Sequence, residues 1–110
     1  MKQLYSLFLI FIFSVISVKA QTQFGEIQGT IKDDKGEPLP FVNVVVIQGG
    51  SQKGGASTDL NGKFTIKPLS PGTYDLRATY LGYNDLRMTG IVIYADKIRK
   101  LDLIMREKAT

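Results

Sequence analysis

The sequence predicts an all-β protein, a seven-stranded Greek-key β-sandwich that follows an N-terminal export signal. Three observations lead to this fold class. Beyond residue 20, no segment keeps an apolar residue at the helical spacing for three turns. Short runs of alternating apolar and polar residues recur instead. Gly, Pro, Asp and Asn separate these runs, as is typical of the turns of a sandwich.

Residues 1–20 have the features of a secretory signal. Lys2 precedes an uncharged apolar run from Leu4 to Val18, which is shorter than the roughly 20 residues of a membrane-spanning helix. Small residues before Gln21 predict cleavage after Ala20, which leaves one domain over residues 21–110. The alternative is an uncleaved anchor. No Cys follows the apolar run, which excludes a lipid-anchored cysteine.

The first strand and the turn after it cover residues 27–36. Ile27 and Ile31 alternate with polar residues, and the strand closes at a turn in which Asp33 caps backbone amides and Gly36 takes a positive φ. Pro38 and Pro40 then forbid a helix and keep the chain extended. This crossing is predicted to be longer and stiffer than a tight hairpin.

The most β-branched stretch, FVNVVVIQGG, is predicted to be a central strand with one core-facing side. That side carries Val42, Val44 and Val46, while the opposite side is expected not to be fully solvated. The glycine-rich stretch Gly49–Gly55 is predicted to be a flexible connection, and Ala56–Asp59 a short edge segment.

The stretch STDLNGKFT is predicted to be a turn followed by the next strand. Asp59 and Asn61 are expected to hydrogen-bond to backbone amides, and Gly62 to supply a positive φ. Phe64 then begins a core-facing alternation that Pro68 is predicted to end.

Three further strands complete the prediction. The first follows a turn at Gly72 and ends near Gly82, with Tyr74, Leu76, Ala78 and Tyr80 on its core side. The second covers Leu86–Tyr94, where Gly90 is a candidate bulge. In the last strand, the residues predicted to be buried are Leu101, Leu103 and Met105.

The charge and composition exclude several function classes. The net charge of +4 falls to about +2 without the signal lysines and forms no runs, so neither a nucleic-acid partner nor a membrane-binding patch is indicated. The chain has neither His nor Cys, which removes the usual zinc sites, thiol nucleophiles and imidazole triads. An exported chain without Cys also has no disulfide framework.

The sequence resembles the carboxypeptidase regulatory-like domain, a transthyretin-like β-sandwich found in exported proteins of Bacteroidetes-type bacteria. The resemblance implies an accessory module, which in that family stands beside metallocarboxypeptidase domains or at the N-terminus of SusC-type TonB-dependent transporters. The family commonly has Gly after the second proline, where this chain has Phe41. The matching residues are Gly29, Asp33, Gly36, Pro38, Leu39, Pro40, Asn43, Val44, Thr58, Asp59, Gly62, Phe64, Leu69, Gly72, Tyr74, Gly82 and Tyr83.

The sequence predicts no catalytic, cofactor-binding or metal-binding residue, because each candidate chemistry lacks residues that it needs. The transthyretin-like hydroxyisourate hydrolases resemble this fold but use histidines. Asp33, Asp34, Asp59 and Asn61 offer oxygen atoms, but calcium takes six to eight oxygen ligands and the spacing of an EF-hand loop is missing. The glycines of Gly49–Gly55 lack the Lys-Ser/Thr ending of a phosphate-binding loop.

Two function classes therefore remain. The first is an exported, non-catalytic module of the cell envelope, periplasmic or outer-membrane associated, which binds a protein partner by strand-edge pairing or loop contact. Its candidate edges are Ala56–Asp59 and the last strand. The second class is a glycan or peptide binder that uses the loops Gly49–Gly55 and Leu81–Asp85. A third interpretation is a split N-terminal piece of a transporter or peptidase. No membrane span is expected after signal cleavage.

Overall fold

A computed structural model describes residues 23–109, which fold into seven β-strands. The seven strands are β1 (Gly25–Asp33), β2 (Asn43–Gln48), β3 (Ser51–Ser57), β4 (Lys63–Leu69), β5 (Gly72–Thr79), β6 (Leu86–Ile93) and β7 (Ile98–Met105). The predicted signal over residues 1–20 lies outside the described residues. Residues 23–109 contain no helix that could cross a membrane.

The strands form two sheets that pack face to face, which confirms the predicted all-β sandwich. One sheet has the order β4-β1-β7 and the other the order β3-β2-β5-β6. β1 pairs antiparallel with β4 and parallel with β7, so the chain returns to its first strand at the end of the fold. The segment between β1 and β2, which contains Pro38 and Pro40, crosses from one sheet to the other as expected.

The core lies between the sheets and is built from the alternating residues that the sequence indicated. Val42, Val44 and Val46 are fully buried on the core side of the β2 segment. Val45, on the opposite side, is only 8% exposed, so that side is also partly covered. The buried set is Ile27, Ile31, Leu39, Val42, Val44, Val46, Phe64, Ile66, Leu69, Tyr74, Leu76, Ala78, Ile91, Ile93, Leu101, Leu103 and Met105.

Gly29, at the centre of β1, makes room for the ring of Phe64, its antiparallel partner on β4 of the same sheet. A Cβ atom at this position would lie 2.4 Å from Cζ of Phe64 and 2.9 Å from the backbone oxygen of Leu101. The buried Phe64 ring therefore covers the backbone of Gly29, which explains why a β-strand tolerates glycine in its middle.

The prediction of a flexible connection over Gly49–Gly55 is wrong. Only Gly49 and Gly50 form a turn, with φ of 60° and 79°, and Ser51–Ser57 is a strand paired with β2. Two positive φ values in a row are typical of the tight hairpin turn whose twist matches the flanking strands. The glycine in the strand also has a packing role, because a Cβ at Gly54 would lie 2.9 Å from Cγ2 of Ile66 in the facing sheet.

Two strand details are settled by the structure. Pro68 does not end β4, which continues to Leu69; β4 lies at a sheet edge, where a strand tolerates proline. The candidate bulge at Gly90 is confirmed, since the β5–β6 register shifts there and Gly90 has a φ of 71°. Leu101, Leu103 and Met105 of β7 are buried as predicted.

Candidate functional site

The Asp33 turn is held by its own carboxylate. Oδ1 of Asp33 accepts the backbone amides of Lys35 and Glu37, each at 2.9 Å. Gly36 has a φ of 86°, and its amide donates to the backbone oxygen of Asp33. Pro38 then pairs back with Lys32 in an isolated bridge. The carboxylate thus closes the turn that leads out of β1.

The Asp59 turn repeats this arrangement at the same end of the sandwich. Oδ1 of Asp59 accepts the backbone amides of Asn61 and Lys63, each at 2.9 Å. The backbone oxygen of Gly62, which has a φ of 75°, accepts the amide of Ile31 at 2.8 Å. The last residues of β1 therefore join the two acidic turns. Within residues 23–109, no three acidic side chains are grouped so that they could hold a metal ion.

Thr58 ties the β1–β2 crossing to the end of β3. Its side chain is 1% exposed; Oγ1 accepts the amide of Val42 at 2.8 Å and donates to the backbone oxygen of Leu39 at 2.6 Å. Its backbone oxygen also accepts the amide of Phe41 at 2.9 Å. These bonds fix the crossing on both sides of Pro40, which is half-buried. The remaining predicted turn glycines, Gly72 and Gly82, have φ of 156° and 86°.

Three large apolar side chains are exposed at this end, and we call them the apolar tip: Phe41, Leu60 and Leu81. Their exposed fractions are 66%, 72% and 97%. Phe41 also has a φ of 61°, a conformation that costs a residue with a side chain about 1–2 kcal/mol. The turn therefore has the shape that glycine favours, although the residue is Phe.

Replacing Phe41 with Gly is expected to raise the free energy of unfolding by about 0.5–1 kcal/mol. The gain comes from the relieved φ, less the entropy that glycine adds to the unfolded chain. Phe41→Ala is the matched control, because it removes the ring and keeps the strain. Urea unfolding of the unmodified protein and the two variants measures the difference in unfolding free energy. A Gly variant less stable than the Ala variant would contradict the inference that the φ of Phe41 is strained.

The loop Leu81–Asp85 is closed by contacts with the C-terminal segment. The rings of Tyr80 and Tyr83 pack against each other with centroids 5.4 Å apart, and both lie against the core. Tyr83 Oη donates to the Glu107 carboxylate at 3.4 Å, and the amide of Asn84 donates to the backbone oxygen of Arg106. Partial burial, together with the Glu107 carboxylate, raises the pKa of Tyr83. These tyrosines are therefore engaged in packing.

The four edges of the sandwich differ in how well they could pair with another strand. β3, β4 and β6 each meet their neighbour with a shift of register, and β4 also contains Pro68. β7 pairs with β1 over all eight residues, Ile98–Met105, without a shift. Bulges, proline and charged side chains are devices by which sheet edges avoid further pairing. β7 has exposed charged residues, among them Lys100, but neither a bulge nor a proline, so its backbone is the most regular edge of the described sandwich.

Two depressions lie along the boundary between β7 and β6, which are edge strands of the two sheets, and we call the two depressions together the edge cleft. At one end lies an apolar depression of about 390 Å³, lined in part by Val92, Tyr94 and Ile98. At the other end lies a smaller depression of about 160 Å³, lined in part by Leu86 and Ile104. Tyr94, Ile98 and Ile104 are 65%, 49% and 52% exposed. The cleft thus places exposed apolar side chains on both sides of an open strand edge.

A wider concavity of about 530 Å³ lies at the end of the sandwich opposite the acidic turns. Its lining includes Phe24, Lys67, Pro68, Lys97 and Ile98. It adjoins the start of β7 and so extends the edge cleft. The hypothesis of a glycan or peptide binder relied on two loops, Gly49–Gly55 and Leu81–Asp85. The first is not a loop, because most of Gly49–Gly55 belongs to β3.

The fold and these surfaces define a transthyretin-like β-sandwich whose open features are edges and turns. The profile of the carboxypeptidase regulatory-like domain matches residues 26–106, and the chain belongs to that family. It is 39% identical over 75 residues to TonB-dependent receptor P39 of Formosa agariphila, an alignment that covers 68% of this chain and 7% of the receptor.

Solved structures share the fold at lower identity. A candidate carbohydrate-binding protein of Bacteroides uniformis has a TM-score of 0.62 at 17% identity over 76% of this chain and 41% of that one. A chain of the type II cohesin-X-dockerin complex of Acetivibrio cellulolyticus has a TM-score of 0.59 at 26% identity, over 76% and 58% of the two chains. The 5-hydroxyisourate hydrolase of Klebsiella pneumoniae has a TM-score of 0.56 at 16% identity, over 77% and 92%.

Sequence reasoning gave no role to two features of the structure. The first feature is Thr58, which entered the sequence analysis only as a residue that matches the family pattern. Its residue type was a usable signal, because Thr side chains often hydrogen-bond to nearby backbone groups. The second feature is the pair Arg77 and Arg87, which lie opposite each other on β5 and β6. Their spacing along the chain carries no signal, because only the strand register brings them together.

Proposed function

We propose that this chain is an exported, non-catalytic docking module of the bacterial cell envelope, which binds a protein partner by pairing one strand of that partner with β7. The observation that carries the proposal is the uninterrupted register of β7 at an open edge. Backbone hydrogen bonds to such an edge supply affinity, and pockets for alternate side chains supply specificity.

The edge cleft provides those pockets. Ile98 and Ile104 point away from the core, because the intervening buried positions are Leu101 and Leu103. Apolar side chains of an added strand would cover them and remove their exposed area from water. Burial of apolar area stabilises by roughly 25 cal/mol per Å². The partner segment we infer is therefore extended, with apolar residues where it crosses the two ends of the cleft.

The comparisons support the envelope setting and a role without catalysis. The matched family is that of a regulatory-like domain, and the named relative is a TonB-dependent receptor. The predicted signal over residues 1–20 fits a chain that reaches the periplasm or the outer membrane. The absence of His deprives the chain of the commonest general acid and base, although some solved structures with this fold are enzymes.

The test is cross-linking of the purified chain to an envelope fraction of the bacterium that produces it, followed by hydrogen exchange on the recovered complex. We expect the amides of residues 98–105 to gain protection in the complex. Ile104→Lys places a charge on the outer side of β7 and is expected to reduce capture at least tenfold. Ile98→Lys repeats the test at the other end of the cleft.

Leu60→Lys is the matched control, because it makes the same kind of change at an exposed residue of the apolar tip. It is expected to leave capture unchanged. Loss of capture with Leu60→Lys alone would move the interface to the apolar tip and overturn the assignment to β7. Failure of the unmodified chain to capture any protein would overturn the docking function itself.

A further inference from the structure

We propose that Arg77 and Arg87 form a carboxylate-binding site on the outer face of the four-stranded sheet, and that its ligand is a peptide segment carrying glutamate or aspartate. This site is separate from β7 and from the edge cleft. It lies across β5 and β6, where the two arginines are direct cross-strand partners.

The two arginines lie opposite each other, and neither forms an ion pair with a carboxylate of residues 23–109. Like charges placed directly opposite on a sheet are destabilising. Within residues 23–109, the one ion pair joins Arg106 and Asp34, on another part of the surface. A pair of guanidinium groups kept together in this way is suited to an anion that both can reach, since guanidinium groups bind carboxylates through paired hydrogen bonds.

Arg77 carries a second, independent indication. Its Nε atom is buried and has no hydrogen-bond partner within the described chain. A buried donor without an acceptor costs free energy, and such groups are rare in folded proteins. The Arg77 side chain as a whole is only half-buried, so a carboxylate in the depression would satisfy this donor once the side chain turns toward it.

The surroundings favour a peptide carboxylate over other anions. The depression beside the arginines measures about 100 Å³, and its lining includes Ile47, Met88 and Thr89. Such a depression suits a single side chain, whose methylene groups can contact Ile47 while its carboxylate reaches the arginines. No aromatic residue lines it, so it lacks the ring on which a sugar would stack.

Asp75 also lines the depression and opposes an anionic ligand. It lies two residues before Arg77 on the same face of β5 and is exposed, without an ion pair to either arginine. Asp75→Asn removes this repulsion, so the variant is expected to bind the ligand more tightly than the unmodified protein. An increase in affinity in Asp75→Asn distinguishes a site for anions from a surface that binds peptides nonspecifically.

The experiment follows the arginine Nε–Hε signals of the purified, ¹⁵N-labelled protein by NMR. The probe is the capped heptapeptide Gly-Ser-Glu-Val-Glu-Ser-Gly, and the control probe has Gln in place of both Glu residues. We expect the Arg77 signal to shift with the Glu peptide and not with the Gln peptide. Arg87→Gln is expected to weaken binding about tenfold, and Arg77→Lys, which removes Nε, by a similar factor.

Arg99→Gln, an exposed arginine on β7, is the matched control and is expected to leave binding unchanged. Thermal unfolding checks that each variant folds; should Arg77→Lys not fold, the exposed Arg87 still provides the test. Equal shifts with the Glu and Gln peptides, or unchanged affinity in Arg87→Gln, would overturn the site. Glutarate that binds as tightly as the peptide would overturn the assignment to a peptide ligand.

Discussion

Replacing Thr58 with Val is expected to lower the free energy of unfolding by about 3 kcal/mol. The change keeps the shape of the side chain and removes the hydroxyl, which makes two hydrogen bonds in a fully buried place. The amide of Val42 and the backbone oxygen of Leu39 are then left buried without a partner. Each such group costs about 1–3 kcal/mol, which is more than the net value of the bond itself.

Thermal unfolding of the purified protein measures this loss. For a domain of this size, about 3 kcal/mol corresponds to a fall in Tm of roughly 15 °C. Two variants serve as controls: Thr58→Ser keeps the hydroxyl and is expected to cost only about 1 kcal/mol for the lost methyl group. Thr65→Val makes the same chemical change at an exposed position of β4 and is expected to change stability by less than about 0.5 kcal/mol. A Thr58→Val protein as stable as Thr65→Val would contradict the stabilising role of the two Thr58 hydroxyl hydrogen bonds.

Alternation predicted the strands well, because one face of each strand must be buried. Tyr74, Leu76 and Ala78 of β5 show this clearly, since their neighbours on the other face are charged or polar. The same reasoning failed at Ser51–Ser57, where glycines gave no alternation to detect. β3 is a strand because its backbone pairs with β2, and glycine fits there because Ile66 of the facing sheet lies close to Gly54.

The candidate surfaces were less predictable than the fold. An open edge is a property of the strand order, and β7 is an edge because it pairs with β1 alone. The pairing of Arg77 with Arg87 likewise depends on the β5–β6 register after the bulge at Gly90. Local sequence specifies turns and faces, whereas these features arise from contacts between residues that are distant along the chain.

Phe41 shows that an unusual residue at a family position can be informative before the structure is known. The resemblance placed Gly after the second proline, and the structure gives Phe41 a positive φ there. The turn therefore keeps the backbone conformation that suits glycine, and Phe41 adopts it at a cost in free energy. Backbone strain of this kind is found at functional sites, but the open β7 edge has the more direct geometry for binding a partner.

Replacing Gly62 with Val is expected to lower the free energy of unfolding by about 4 kcal/mol. Two costs combine at this position. Gly62 has a φ of 75°, which costs a residue with a side chain about 1–2 kcal/mol. A Cβ atom would also lie 2.5 Å from the backbone oxygen of Ile31 and 3.2 Å from Cβ of Pro38, so the backbone must move. Backbone movement would weaken the hydrogen bond from the amide of Ile31 to the oxygen of Gly62.

Gly36→Val separates these two costs. Gly36 has a φ of 86° at the equivalent place in the Asp33 turn, but a Cβ there would have no atom within 4 Å. Its substitution therefore retains only the cost of the backbone conformation, about 1–2 kcal/mol. Urea unfolding is expected to rank the unmodified protein above Gly36→Val and Gly36→Val above Gly62→Val. Equal losses of unfolding free energy in the two variants would show that the contact between the Asp59 turn and β1 adjusts to a Cβ atom at little energetic cost. In that case the two acidic turns would be independent caps, because the approach of Gly62 to Ile31 is what couples them.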